Sequence, residues 1–149
     1  MNISQNSPSH NLGIAYLAWF FGFTGAHRFY CGKNVSGVIW FFTLGLCGVG
    51  WLIDLFLVPA MVNEANKRFA TGRYDYSLTF LLHFFLGIFG IHRFYMGKIW
   101  TGLLYLCTGG LLGFGVIYDL FVLNKRLDEL NRKYSAQAQV GSQALSYSV

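Results

Sequence analysis

Seven side chains could carry acid–base or ion chemistry in this otherwise greasy sequence: His27, Arg28 and Asp54, then His92, Arg93 and Asp119, and the isolated His83. A carboxylate inside a hydrocarbon environment costs roughly 2.5 to 3.5 kcal/mol at mid-helix, so Asp54 in "WLIDLF" and Asp119 in "VIYDLF" read first as functional. Imidazoles titrate near neutrality and suit a proton relay or an ion path. The competing reading is structural. Arg would hold phosphate or helix-end carbonyls, the aromatics of "HRFY" would anchor an interface, and His83 would sit neutral against backbone or Thr. No nucleophile with a nearby base stands out, so no catalytic residue is assigned. Cys31, Cys47 and Cys107 share no spacing, and no metal or cofactor site is assigned.

These residues come in two sets because the chain is a tandem duplication. A shift of 65 positions, from His27 to His92, lays "GAHRFYCGK" on "GIHRFYMGK" and carries His27, Arg28, Phe29 and Tyr30 onto His92, Arg93, Phe94 and Tyr95. The same shift aligns Thr43, Gly45, Gly48, Gly50 and Asp54 with Thr108, Gly110, Gly113, Gly115 and Asp119.

The elements that must position them are membrane helices. The 149 residues are 54% hydrophobic and 11% charged, with a mean hydropathy of +0.44, too little polar surface to enclose a soluble core of this size. Each copy has two apolar segments, 12–26 with 37–60 and 78–91 with 102–123. About 20 helical residues cross ~30 Å of hydrocarbon, so the first of each pair is short and is expected to run on through "HRFY", with Arg28 and Arg93 snorkelling and the Phe and Tyr residues in the interfacial belt. The expected fold is all-α and integral to the membrane: four transmembrane helices as two helical hairpins, related as parallel repeats. The boundaries are a polar amino-terminal segment at 1–10, hairpins at 11–70 and 77–134 joined by a linker at 71–76, and a disordered tail at 135–149. On a straight second helix Asp54 lies 17 positions past Gly37, about 25 Å from the turn, which disfavours pairing with Arg28. Asp54 is instead expected near His10 and Asn11, and Asp119 near 74–77.

Small residues let helices approach closely in lipid, and Ala15, Ala18, Gly22, Gly25, Gly45, Gly48, Gly87, Gly90, Gly110 and Gly113 are assigned to helix packing. The runs "TLGLCGVG" and "TGGLLGFG" are expected to kink or to pack tightly. Copy two carries Phe80 and His83 in place of Ala15 and Ala18, so the two packing faces differ. Amino terminus, middle connection and tail hold Lys67, Arg68, Arg73, Lys125, Arg126, Arg132 and Lys133, against Arg28, Lys33, Arg93 and Lys98 around the "HRFY" turns. The positive-inside rule then places both termini in the cytoplasm, with the cell membrane as location. The net charge of +5 is read as facing lipid headgroups rather than nucleic acid.

At the pattern Gly-x-x-Gly-x-His-Arg-Phe-Tyr-x-Gly, followed by Thr-x-Gly-x-x-Gly-x-Gly and Asp-Leu-Phe, the chain resembles the TM-two domain family over 12–69 and 77–134. The resemblance implies small membrane units without an established enzymatic reaction. His27 and His92 stand where many animal relatives have Asp, so an acidic switch is not carried over. The function expected is a membrane interaction or scaffold module with no enzymatic activity, whose partners are the lipid bilayer and either further copies or other membrane proteins. The alternative is a small oligomeric ion channel or proton-coupled transporter using Asp54, Asp119 and His83.

Overall fold

The computed structural model describes residues 8–21 and 24–147. Most of the amino-terminal segment and Gly22 lie outside them. In order come α1 (Leu12–Phe20), α2 (Ala26–Tyr30), α3 (Asn34–Cys47), α4 (Val49–Arg68), α5 (Tyr76–Leu86), a 3-10 turn (Gly87–Phe89), α6 (Ile91–Tyr95), α7 (Ile99–Leu112) and α8 (Phe114–Tyr147). Asn11 caps α1 by accepting from the Gly13 N–H at 2.7 Å, and Asp75 caps α5 by accepting from the Leu78 N–H at 2.9 Å. Each satisfies an N–H that the first turn leaves without a partner.

The second apolar segment of each copy is not one helix. Residues 44 to 48 all take left-handed backbone angles, as do 109 to 113, and in copy two the flanking helices meet at 119°. Glycine reaches this region freely, whereas Leu44, Leu46, Cys47, Leu111 and Leu112 enter it at a steric cost of roughly 1 to 2 kcal/mol each. Thr43 holds the break: its hydroxyl donates to the Ile39 carbonyl at 2.6 Å and accepts from the Leu46 N–H at 3.1 Å. Thr108 does the same with Leu104 and Leu111. The polar side chain in an apolar run thus satisfies backbone groups that the reversal would orphan.

Because of the break, α4 returns alongside α3, and α1 runs antiparallel to α4. At one end the Trp19 and Trp51 rings stack at 4.5 Å, and each indole N–H donates to the other residue's carbonyl at 2.8 Å. Further along, the Tyr16 hydroxyl donates to the Leu55 carbonyl. That carbonyl is the one Pro59, lacking an N–H, cannot reach. At the opposite end Asn66 accepts from the His10 N–H at 2.7 Å. Two observations bear on the expected topology. No single helix among the described residues is long and apolar enough to cross a membrane. The "HRFY" segments also share an end with the starts of α1 and α5: Tyr30 accepts from the Asn11 N–H at 2.7 Å, Tyr95 from the Asp75 N–H at 3.1 Å, and Lys33 pairs with Glu64 at 2.7 Å. Comparing basic residues between turns and termini therefore compares residues of one face.

The copies are joined at this same end. The Asn124 amide, where copy one has Pro59, donates to the Phe29 and Tyr30 carbonyls at 2.9 and 2.8 Å, and Asn34 donates to the Phe121 carbonyl at 2.5 Å. His10 is enclosed by the rings of Tyr30, Phe69 and Tyr76. Residues 135 to 147, expected to be disordered, continue α8 as helix, exposed as far as Ala144. Ala and Gln extend an existing helix without a new nucleation cost, even where the segment buries nothing.

Candidate functional site

The returned α4 brings Asp54 to α2. The Asp54 carboxylate accepts from Arg28 Nε at 2.8 Å and from Arg28 Nη2, and His27 Nε2 lies 2.7 Å from Oδ2. The distance argument against this pairing assumed a continuous helix, and the left-handed turn removes that assumption. Nor does Asp54 lie beside His10, which sits at the Asn66 end of the same helix. Asp119 likewise joins His92 and Arg93 rather than the linker end at 74–77.

Each cluster is dry. His27 and Asp54 are 0% exposed and Arg28 9%, and in the second copy the values are 0% for His92, 1% for Asp119 and 8% for Arg93. The arginines therefore do not snorkel to headgroups. Phe29 and Tyr30 are buried too, Phe29 over Gly37 and against Phe121, rather than in an interfacial belt. Guanidinium stacks on an aromatic face in both copies, 3.6 Å from the Trp40 ring centre and 3.9 Å from that of Tyr105. A planar, always-charged guanidinium matches a carboxylate in two parallel bonds while its face meets the ring, a combination lysine cannot make.

Copy two is the more heavily bonded. His92 Nε2 lies 2.9 Å from Asp119 Oδ2, Arg93 donates to both oxygens at 2.6 Å, and Arg126 adds a further bond to Oδ1 at 3.0 Å. Copy one has Met61 at the position of Arg126. Four donors occupy the roughly four acceptor directions of a carboxylate, leaving Asp119 no free lone pair for a substrate or ion. On the other side of each ring, the buried Nδ1 atoms of His27 and His92 have no hydrogen-bond partner among the described residues. The arrangement therefore fastens α2 to α4, and α6 to α8, through charge that is satisfied inside the fold.

His83 is 2% exposed, and its ring meets His92 edge to face at 4.6 Å. Ala15 and Ala18 are buried against the core. The glycines assigned to packing divide by cause: Gly45, Gly48, Gly110 and Gly113 form the left-handed turns, Gly25 and Gly90 cap α2 and α6 with positive φ, and Gly87 lies against Val116. Three features escaped sequence reasoning: the Gly37 and Gly102 seats for the Phe29 and Phe94 rings, the stacking partners Trp40 and Tyr105, and the Asn124 bridge. The repeat pointed to the first, since Gly37 and Gly102 align. Among the described residues no group of His, Cys, Asp and Glu is arranged to hold a metal, and the three cysteines are free.

Two copies of a glycine-broken helical unit, each locked by a buried His–Arg–Asp cluster and covered in apolar side chains, define a class of duplicated helical proteins with apolar outer faces. The TM2 domain model matches residues 8–56 and 72–121, well over half the chain, and this protein belongs to the TM2 domain family, a family of membrane proteins. It is similar to a TM2 domain-containing protein of Dictyostelium discoideum, 46% identical over 57 residues, 38% of this chain and 37% of that protein. It is also similar to TM2 domain-containing protein 1 of Homo sapiens, 40% identical over 57 residues, 38% of this chain and 27% of that one. The TM2 domain-containing protein biscotti of Drosophila melanogaster is 42% identical over 53 residues, 36% of this chain and 30% of that one. The chain spans well under half the length of these relatives. No solved structure matches it.

Proposed function

We propose that the protein is a membrane-embedded interaction or scaffold module without enzymatic activity, in which the His–Arg–Asp clusters are fasteners. The observation that carries this reading is the saturation of Asp119 by His92, Arg93 and Arg126, together with the bidentate grip of Arg28 on Asp54. A carboxylate that handles ions needs an unoccupied acceptor: Asp119 has none, and Asp54, with three donors, has its remaining direction enclosed in a fully buried cluster. Large apolar side chains on the outer faces, such as Phe42 at 79% and Trp100 at 84% exposure, are left for lipid, further copies or other membrane proteins. The cell membrane is the proposed location. Photocrosslinking from Phe42 and Trp100 in native membranes tests the reading: discrete adducts support it, and diffuse lipid adducts alone oppose it.

A second reading, proton-coupled transport, is favoured by the contact of His83 with His92 beside Asp119, a pair of imidazoles that copy one lacks because Ala18 stands there. Liposomes holding the protein discriminate. Proton or ion flux above that of empty liposomes, lost on His83→Ala, which installs the residue copy one holds at Ala18, would establish transport, whereas flux equal to empty liposomes retires it.

A further inference from the structure

We infer that one anionic phospholipid binds at the seam between the copies, its phosphate in a basic depression at the start of α3 and one acyl chain in the apolar cleft that α3 and α8 enclose. This rests on membrane residence and not on the interaction role proposed above.

The cleft follows from how the copies are joined. Asn34 at the start of α3 donates to the Phe121 carbonyl, and Asn124, further along α8, donates to the Phe29 and Tyr30 carbonyls, so the two helices are tied at one end. Away from that joint they do not close. Phe29, Val38, Phe41 and Phe42 of copy one, with Ile117 and Leu120 of α8, line a cavity of about 300 Å³ in which every lining side chain is apolar. Water needs two to four polar partners and finds none on such walls. A helix, about 10–12 Å across with its side chains, is too wide for a space of that volume, whereas an unbranched chain of methylenes is not. Phe42 and Ile117 are exposed, so the cleft opens sideways to the surrounding hydrocarbon.

Hydrocarbon gains little by moving from a bilayer into an apolar groove, so selection has to come from the headgroup. A neighbouring depression supplies it. Lys33, Val35, Ser36, Ile39 and Arg68 line a second cavity, of about 430 Å³, at the start of the same helix. Glu64 pairs with Lys33 at 2.7 Å and also feels the charges of Lys67 and Arg68. Three cations around one carboxylate leave the depression net positive, which complements an anionic headgroup.

One molecule spans both cavities. Ile39 of the depression adjoins Val38 of the cleft along the chain, and the seven steps from Val35 to Phe42 rise about 10 Å. The acyl chains of one leaflet cover half of the ~30 Å hydrocarbon thickness, which is longer than that path.

The test is native mass spectrometry of the full chain released from detergent micelles that hold equal amounts of phosphatidylglycerol and phosphatidylcholine with identical acyl chains. One lipid is expected to stay bound, with phosphatidylglycerol favoured by at least about fivefold, the factor that one basic residue near an anionic surface supplies. Lys33→Gln with Arg68→Gln is expected to bring that preference to about one. Val38→Trp, which fills the cleft from α3, is expected to lose the retained lipid at an unchanged melting temperature, and Ile117→Trp fills it from α8 should Val38→Trp unfold. A parent chain that emerges without lipid, lipid retained in both tryptophan variants, or a preference that Lys33→Gln with Arg68→Gln leaves intact overturns the site. So does a protein dimer that Val38→Trp disperses, since a second copy would then occupy the cleft. Each of these results leaves the interaction role to be decided by the protein adducts formed from Phe42 and Trp100.

Discussion

Arg28 and Asp54 are 26 positions apart, yet the guanidinium of one grips both oxygens of the other in a dry interior. The geometry exists only because five left-handed residues reverse the chain between them. Burial of two charges is expensive, so the pair contributes mainly by making other arrangements worse.

Asp54→Asn should destabilise the protein by about 3 to 5 kcal/mol, the cost of leaving a buried cation without its partner. Asp119→Asn should cost at least as much, since two arginines lose their acceptor. Arg28→Met combined with Asp54→Leu should recover most of the loss. Thermal unfolding in detergent measures all three.

Leu44→Gly should be neutral or stabilising by up to about 1 kcal/mol, because copy two already holds Gly109 there and the left-handed cost disappears. Gly113→Ala should lose about 1 kcal/mol although nothing lies within 4 Å of the added carbon, which isolates the backbone term from packing. Comparing unfolding temperatures of both variants with the parent checks the pair.

Gly37→Ala places a carbon 2.9 Å from the Phe29 ring and should destabilise by about 1 to 3 kcal/mol through overpacking. Gly37→Ala with Phe29→Leu should restore part of the loss, read in the same melt.

Burial pushes the His10 imidazole down from 6.5 to about 4. Unfolded chain therefore binds a proton below pH 6.5 that folded chain refuses until about pH 4, so stability is full above this window and falls as pH drops through it. His10→Phe, which keeps the contacts with Tyr30, Phe69 and Tyr76, should flatten that part of the stability profile. An unchanged slope would assign the pH response to another group.

Much of the site was legible before the fold was known. His27, Arg28 and Asp54 stood out because charge in an apolar run is costly, and their repetition at His92, Arg93 and Asp119 marked one unit used twice. Their union was not legible. Counting 1.5 Å per residue presumes a right-handed helix, and nothing local says that Leu44, Leu46 and Cys47 adopt the opposite hand. The paired signal was Thr43 and Thr108 at matching places before the glycines, two hydroxyls with a reversal to cap. The joint between copies was hidden for another reason: Asn124 and His10 have no counterpart in the repeat, being Pro59 and Asp75 in the other copy, so alignment of the halves passes over them.

The central claim is that the glycine break returns α4 to the end where α3 began. Pulsed electron resonance between spin labels at Lys33→Cys and Glu64→Cys tests it most directly, since the native side chains touch at 2.7 Å. The account predicts a single short distance, below half of the about 46 Å that an uninterrupted helix would set between these positions. A distribution centred near that longer value would contradict it.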